Sequence, residues 1–285
     1  MANRILVTGA SGNIGRELVK QLQARGADFA VMTSKPGSTP SGVPSVQGDF
    51  TRPDTLPAAF ASVDTLFLLF PLTPGMDAMA RNAVAAAKAA GVRHIVRSSG
   101  AGADSASPAS IARAQGEIDD IVAGSGIPFT LLRPTVFMQN TVNLYADTIK
   151  AAGAIYAPRG NGAVAVVDVR DIAEAAAAIL THPAAHAGAV YTLTGSEALT
   201  DAQIAATIGR AVGCDIKYVD VPEQTAVDAM TGMGYPPPVI DWLMSLNYVI
   251  KRGWAAGVSS DVQTLTGHPP RRFEDFAREH AVAWR

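Results

Sequence analysis

The first eighteen residues constrain this chain more than any other stretch. Ile5-Leu6-Val7-Thr8 is an apolar run, Gly9-Ala10-Ser11-Gly12-Asn13-Ile14-Gly15 follows, and Arg16-Glu17-Leu18 continues an amphipathic pattern. That order reads as strand, glycine turn and helix. Glycine lets the backbone bend tightly there and lets a diphosphate come close. The N–H groups of the helix start then face the anion, with the helix dipole behind them. The expectation is a dinucleotide-binding turn made by Gly9, Ala10, Ser11, Gly12, Asn13, Ile14 and Gly15. The spacing is Gly-x-x-Gly-x-x-Gly, and a tight turn in some other α/β protein would share its outline. The strand before it and the helix after it favour the dinucleotide. No Gly-Lys-Ser/Thr follows, which excludes a phosphate loop.

Behind the turn, strands and helices alternate. Strands are expected at Arg4–Thr8, Phe29–Met32, Thr65–Phe70, His94–Arg97 and Phe129–Leu132, with a short third strand held within Gly42–Asp49. Helices are expected at Ile14–Arg25, Asp54–Phe60, Met76–Ala90 (closed by Gly91) and Ser110–Ala123. Alternation of this kind implies right-handed crossovers and a parallel sheet with helices on both faces. After Arg133 the pattern loosens. Thr141–Ala151 reads as helix, Val164–Val167 as strand, Val169–Leu180 as helix and Ala189–Leu193 as strand. Asp201–Val212 is a helix stopped by Gly213. From Pro222 a helical stretch rich in Met, Trp and Tyr is broken at Pro236-Pro237-Pro238, and a last helix is expected over Arg272–Ala283. The fold class is therefore α/β: a Rossmann-type doubly wound parallel sheet with a smaller, mainly helical C-terminal lobe. The expected division is a dinucleotide-binding domain over 1–155 and a mixed substrate-binding lobe over 156–285. Strands near 164–168 and 189–193 are expected to contribute to the first.

Composition removes several functions. A net charge of -2 without a basic run argues against nucleic acid. The longest apolar stretch, Leu66–Leu72, is strand length and far short of a membrane span. Cys214 is the only cysteine, so an internal disulfide and a cysteine zinc cluster are excluded. A small buried side chain is its expected role. No leader is visible, and a cytoplasmic setting is expected. His182, His186 and His268 fall in loops without metal-site spacing, and His94 is expected at the surface. Neither metal nor flavin is expected. Gly124-Ser125-Gly126 is a helix stop, not a nucleophile elbow. Asp168 and Asp171, flanking Arg170, are expected to cap a helix and pair locally.

Ligands in such sheets sit beyond the C-terminal ends of the strands. At the end of the second strand, an acidic residue would bind ribose hydroxyls and repel a 2′-phosphate. This chain has Thr33-Ser34-Lys35 there. Lys35 is either a partner for a 2′-phosphate or an ordinary solvated lysine, and NADP(H) is favoured over NAD(H). Asp49 and Phe50 are placed to flank the adenine. Phe70 and Pro71, after the fourth strand, are further candidates on the cofactor path.

The glycine spacing and strand order resemble the short-chain dehydrogenase/reductase superfamily. Its Tyr-x-x-x-Lys pair would fall at Ile111 and Gln115, so the proton-donating phenol is missing, while Ser98-Ser99-Gly100 fits its serine position. The whole chain resembles a narrower group, the NmrA-like atypical short-chain reductases. The resemblance is carried by the glycine turn, Gly48-Asp49, Ala87-Lys88-Ala89-Ala90-Gly91-Val92 and Ser125–Pro134. It continues through Val169-Arg170-Asp171-Ile172-Ala173 and Leu265-Thr266-Gly267-His268-Pro269. It implies NADP(H) as cofactor, with Ser98, Ser99, Gln115 and Pro134 beside it. An arginine frequent in that group near the second-strand end is replaced here by Thr33 or Ser34. It also implies that Pro134–Asn140 borders nicotinamide and substrate, which makes Phe137 and Asn140 acceptor candidates. Tyr235 and Trp242 are candidates from the helical lobe, with a core role equally open.

Loss of the phenol limits the chemistry. Reducing an isolated ketone makes a strongly basic alkoxide, for which a positioned acid is worth ~10²–10⁴-fold. A quinone instead gives a delocalised phenolate with a conjugate-acid pKa of roughly 10, which water can protonate. A conjugated cationic dye needs no proton during transfer. The expected function is NADPH-dependent hydride transfer to a planar conjugated acceptor of quinone, dye or polycyclic-aromatic type. A non-catalytic sensor that binds NAD(P) and acts through a protein partner is the alternative.

Overall fold

The computed structural model describes residues 3–35 and 42–285. In chain order the first part comprises β1 (Ile5–Val7), α1 (Asn13–Ala24), β2 (Phe29–Thr33), β3 (Ser45–Gln47), α2 (Leu56–Ala59) and β4 (Thr65–Leu68). It continues with α3 (Met76–Ala90), β5 (His94–Ser98), α4 (Ser110–Ala123) and β6 (Phe129–Pro134). There follow α5 (Asn140–Asn143), α6 (Ala146–Ala152), β7 (Ala154–Ala157), β8 (Ala163–Val164), α7 (Val169–Thr181) and β9 (Val190–Leu193). The last elements are β10 (Leu199–Thr200), α8 (Asp201–Val212), β11 (Lys217–Asp220), α9 (Glu223–Gly232), α10 (Pro237–Lys251), α11 (Asp261–Thr266) and α12 (Phe273–Glu279).

Seven strands form one sheet in the order β3-β2-β1-β4-β5-β6-β9. The pairings from β3 through to β6 are parallel, with Val7 opposite both Val31 and Phe67. Strand order reverses between β1 and β4, and an open α/β sheet binds ligands at such a switch point. Because β1, β2 and β4 are largely apolar and β5 is buried throughout, both faces need cover. Helix α1 supplies some of it through Ile14, Leu18, Val19 and Leu22, each buried and each worth about 1.5–3 kcal/mol relative to exposure. Gly91, in the left-handed conformation, stops α3 by donating its N–H to Ala87 and Lys88.

The chain divides into two compact units. The first is Met1–Ser107, Ala112–Arg133 and Ile172–Thr192; the second is Pro108–Ile111, Pro134–Asp171 and Leu193–Arg285. Within the first, Leu6, Met32, Phe60, Leu66, Leu68 and Ile95 form one core. Within the second, Ile155, Val166, Ile208, Phe273, Phe276 and Trp284 form another. Two small sheets serve the second unit, β7 with β11 in parallel and β8 with β10 antiparallel. Helix α8 begins in a complete capping box between Thr200 and Gln203. Among the described residues no helix is long and apolar enough to cross a membrane.

Several local expectations are corrected. The helix over 141–151 breaks at Leu144–Tyr145 into α5 and α6. The strand over 164–167 is reduced to β8 and an isolated bridge at Val167 to Phe137. The last helix ends at Glu279 before a short 3₁₀ turn, while the short third strand expected within 42–49 is Ser45–Gln47. Cys214 is exposed, because it lies just past the Gly213 helix stop. His94 is 3 % exposed rather than at the surface. Asp168 caps and pairs with Arg170 as expected, but Asp171 is held by the backbone and guanidinium of Arg271.

Candidate cofactor site

The site builds from the carboxyl end of β1. Thr8 is 1 % exposed; its hydroxyl donates to the Phe67 carbonyl at 2.9 Å and accepts from the Leu69 N–H at 3.0 Å. The ends of β1 and β4 are thereby fixed together. Gly9 turns the chain with φ +68°, and a side chain there would press on Leu69. Gly15 meets the turn at still closer range: a Cβ would lie 2.1 Å from the Gly9 carbonyl oxygen and 2.6 Å from the Ala10 Cα. The helix start is thus seated directly on the turn, an approach only glycine permits. Gly12 caps α1 without any side-chain hydrogen bond, and no acid lies in the first turn. The N–H groups of Asn13, Ile14 and Gly15 find no acceptor among the described residues. Ala10 and Ile14 turn their side chains into the core, whereas Gly9, Ser11, Gly12 and Asn13 are exposed. This is a cradle suited to an anion.

At the end of β2, Thr33 Oγ1 donates to the Lys35 carbonyl at 2.9 Å and accepts from the Lys35 N–H at 3.1 Å. That local turn leaves Ser34 and Lys35 exposed. After β3, the Asp49 carboxylate accepts from both the N–H and the hydroxyl of Thr51, which hold it below the usual carboxylate range. Its oxygens are committed to that turn. Phe50 is buried and packs its ring at 5.0 Å from the Phe70 ring, joining the β3 and β4 ends. Pro71 is exposed.

The end of β5 holds the most unusual chemistry. The Ser98 and Ser99 hydroxyl oxygens are covered, yet neither has a hydrogen-bond partner among the described residues. Unpaired buried hydroxyls are uncommon and call for a ligand or a functional reason. Beside them, Arg97 Nη2 donates to Gln115 Oε1 at 2.8 Å, so only the amide NH₂ of Gln115 is left to offer. Arg97 also donates to Asp119, whose other oxygen accepts from Arg133 Nε at 3.0 Å. Arg97 and Asp119 are almost fully buried, and Arg133 is one quarter exposed. Burial pulls Arg97 down to about 10, with Asp119 opposing and Arg133 adding to the effect; it stays cationic at neutral pH.

The acceptor candidates lie in the second unit, as does Pro134 at the end of β6. Phe137 is half-buried and bridged to Val167; its carbonyl accepts from the N–H of Asn140, whose side-chain amide makes no hydrogen bond among the described residues. Tyr235, before α10, is 37 % exposed, and Trp242 on α10 is half-buried. A recess of about 310 Å³ in this unit, lined by Gln203, Thr207, Arg210, Arg272 and Phe273 among others, contains none of these four. At the expected position of the catalytic tyrosine, Ile111 donates its backbone N–H to Ser245 Oγ at 3.0 Å.

A family model described as the NmrA-like family matches residues 1–253. The chain belongs to the NmrA-like family. It is 39 % identical over 284 residues to the NAD(P)H azoreductase of Xenophilus azovorans, covering 98 % of this chain and 99 % of that protein. The NADPH complex of the quinone oxidoreductase of Escherichia coli superposes with a TM-score of 0.88 at 28 % identity, over 96 % of this chain and 99 % of that one. The NADP(H) complex of triphenylmethane reductase from Citrobacter sp. gives a TM-score of 0.84 at 25 % identity, over 98 % and 99 %.

Sequence reasoning did not single out Arg97, Asp119 or Arg133 as one group in this NmrA-like chain. A signal was present: Arg97 interrupts the otherwise apolar centre of β5, and Asp119 stands four residues after Gln115 on the same helical face.

Proposed function

We propose that this protein is an NADPH-dependent reductase that passes hydride to a planar conjugated acceptor without an acid on the protein. The observation that supports this most is the end of β5. Ser98, Ser99 and Gln115 offer hydrogen bonds there, and the sequence reading puts Ile111 and Gln115 where the tyrosine and lysine would fall. The cofactor supplies hydride from its dihydronicotinamide when bound. The free N–H groups of Asn13, Ile14 and Gly15 would hold the diphosphate, and Ser34 and Lys35 the 2′-phosphate. Phe50 and Phe70 would lie along the adenosine half, and Ser98, Ser99 and Gln115 would orient the nicotinamide half. Asn140 is proposed as an acceptor contact because its amide is unbonded within the protein. With no acid on the protein, water protonates the product. The acceptor must therefore delocalise the charge it gains or arrive with a charge to lose. The protein's contribution is positioning.

The test is turnover of NADPH and NADH, followed by their absorbance, with a panel of quinones and azo dyes. Oxidation of NADPH by several of them is expected, with NADH slower. Tight NADPH binding with no turnover on any acceptor would instead mark a sensor.

A further inference from the structure

Asp119 is shared by two guanidiniums, and among the described residues neither Arg97 nor Arg133 pairs with a second carboxylate. The cluster therefore carries one uncompensated positive charge. Gln115 connects it to the strand end: its carbonyl accepts from Arg97, and its Cγ lies 3.6 Å from where a Cβ on Gly100 would sit. Ser98 and Ser99, with their unpaired hydroxyls, are the residues between Arg97 and Gly100. A bound dinucleotide in such a sheet crosses the carboxyl ends of the strands. Arg97 and Asp119 are covered and Arg133 is three quarters covered, so salt screens this cluster less than a surface ion pair.

We propose that the surplus charge of Arg97, Asp119 and Arg133 is an acceptor-charge filter that favours neutral acceptors over cationic ones. The inference rests on the hydride-transfer reading above. A neutral acceptor that takes a hydride, two electrons with one proton, becomes an anion and leaves the nicotinamide as a cation. The reacting pair stays neutral overall, so a fixed charge acts on it weakly. An acceptor that arrives as a cation carries its whole charge into the same field, in both the ground state and the transition state. At a separation of ~10 Å and an effective dielectric of ~20, the penalty is on the order of tenfold. The same field disfavours the oxidised pyridinium relative to the dihydronicotinamide.

Arg133→Met removes the surplus and leaves the Arg97–Asp119 pair with Gln115; Arg133→Lys restores the charge. Two ratios are read. The first compares kcat/KM for menadione, a neutral quinone, with that for crystal violet, a cationic triarylmethane dye. The second compares the Kd of NADP+ with that of NADPH by fluorescence titration, independent of turnover. In Arg133→Met the preference for menadione is expected to narrow by roughly 5- to 20-fold and the Kd ratio to fall by roughly 3- to 10-fold. Arg133→Lys is expected to keep both near wild type. A merely structural role would weaken both ligands alike and leave the ratios untouched. Unchanged ratios in an Arg133→Met protein that still binds NADPH would overturn the filter alone. Failure of the wild-type protein to bind or oxidise NADPH would overturn the hydride-transfer reading and the filter with it. Arg133→Gln provides a second neutral variant should the Met protein fold poorly.

Discussion

Arg97 and Arg159 are both guanidiniums removed from water, and their surroundings answer that burial differently. Arg159, in the second unit, faces one carboxylate: Nη1 lies 3.3 Å from Asp201 Oδ1, and Nε donates to the neutral Asn247 at 2.8 Å. Burial pushes the Asp201 carboxyl up while Arg159 pulls it back, and Asp201 Oδ2 has no partner. The pair is neutral, so its field decays as a dipole and stays local. Arg97 shares its carboxylate with a second arginine, so the field there decays as a charge and reaches further. One cluster fixes its own lobe; the other also acts at a distance on what binds nearby.

The sharpest way to break this contrast is to remove the two carboxylates. Asp119→Asn is expected to cost about 4 kcal/mol, because it leaves the buried Arg97 guanidinium without an anion and facing the partly exposed Arg133. Asp201→Asn should cost about 2 kcal/mol, since Asn247 and an amide oxygen still receive Arg159. Equal losses in urea unfolding would show that the surplus charge is not felt.

A buried group that burial keeps uncharged extends the comparison. His94 is covered, and its Nε2 meets Thr130 Oγ1 at 2.9 Å, while that hydroxyl donates to the His186 carbonyl. Burial, helped by His186, lowers it from 6.5 to about 4. The unfolded chain therefore binds the proton first on acidification. Its contribution to stability is complete above pH 6.5 and is lost as pH falls toward 4, by about 3 kcal/mol over that window. His94→Gln should flatten this part of the pH–stability curve; a curve identical to wild type would contradict the assignment.

Two smaller effects refine the picture. Arg133→Met should change stability by no more than about 1 kcal/mol, because it relieves repulsion while losing a partly exposed ion pair. Tyr235→Ala should stay within about 0.5 kcal/mol of wild type in thermal unfolding, as expected for an exposed ring. A larger loss would place that ring in the folding core of its unit.

What was legible in the sequence was local. The glycine turn, the apolar stripe of Ile14, Leu18 and Leu22, and the Gly91 and Gly213 stops each depend on neighbours within a few residues. What was not legible depends on distant partners. His94 looked like a surface residue because Thr130, which bonds its ring and is itself held by the His186 carbonyl, lies far along the chain. The role of Asp119 likewise depends on β5 and β6, which bring an arginine to each of its oxygens. The turn in which the Asp49 carboxylate accepts from Thr51 was likewise not singled out.

The uncapped start of α1 has a consequence for handling the protein. With no capping side chain and no acid in its first turn, that helix end is completed by whatever anion the surroundings provide. A dinucleotide present at a hundred times its Kd would add about 2.7 kcal/mol to the folded state. The melting temperature of a preparation therefore reports its history as much as its fold. Material that carries nucleotide through purification will look sturdier than the same chain dialysed clean, and two batches should be compared only at matched occupancy.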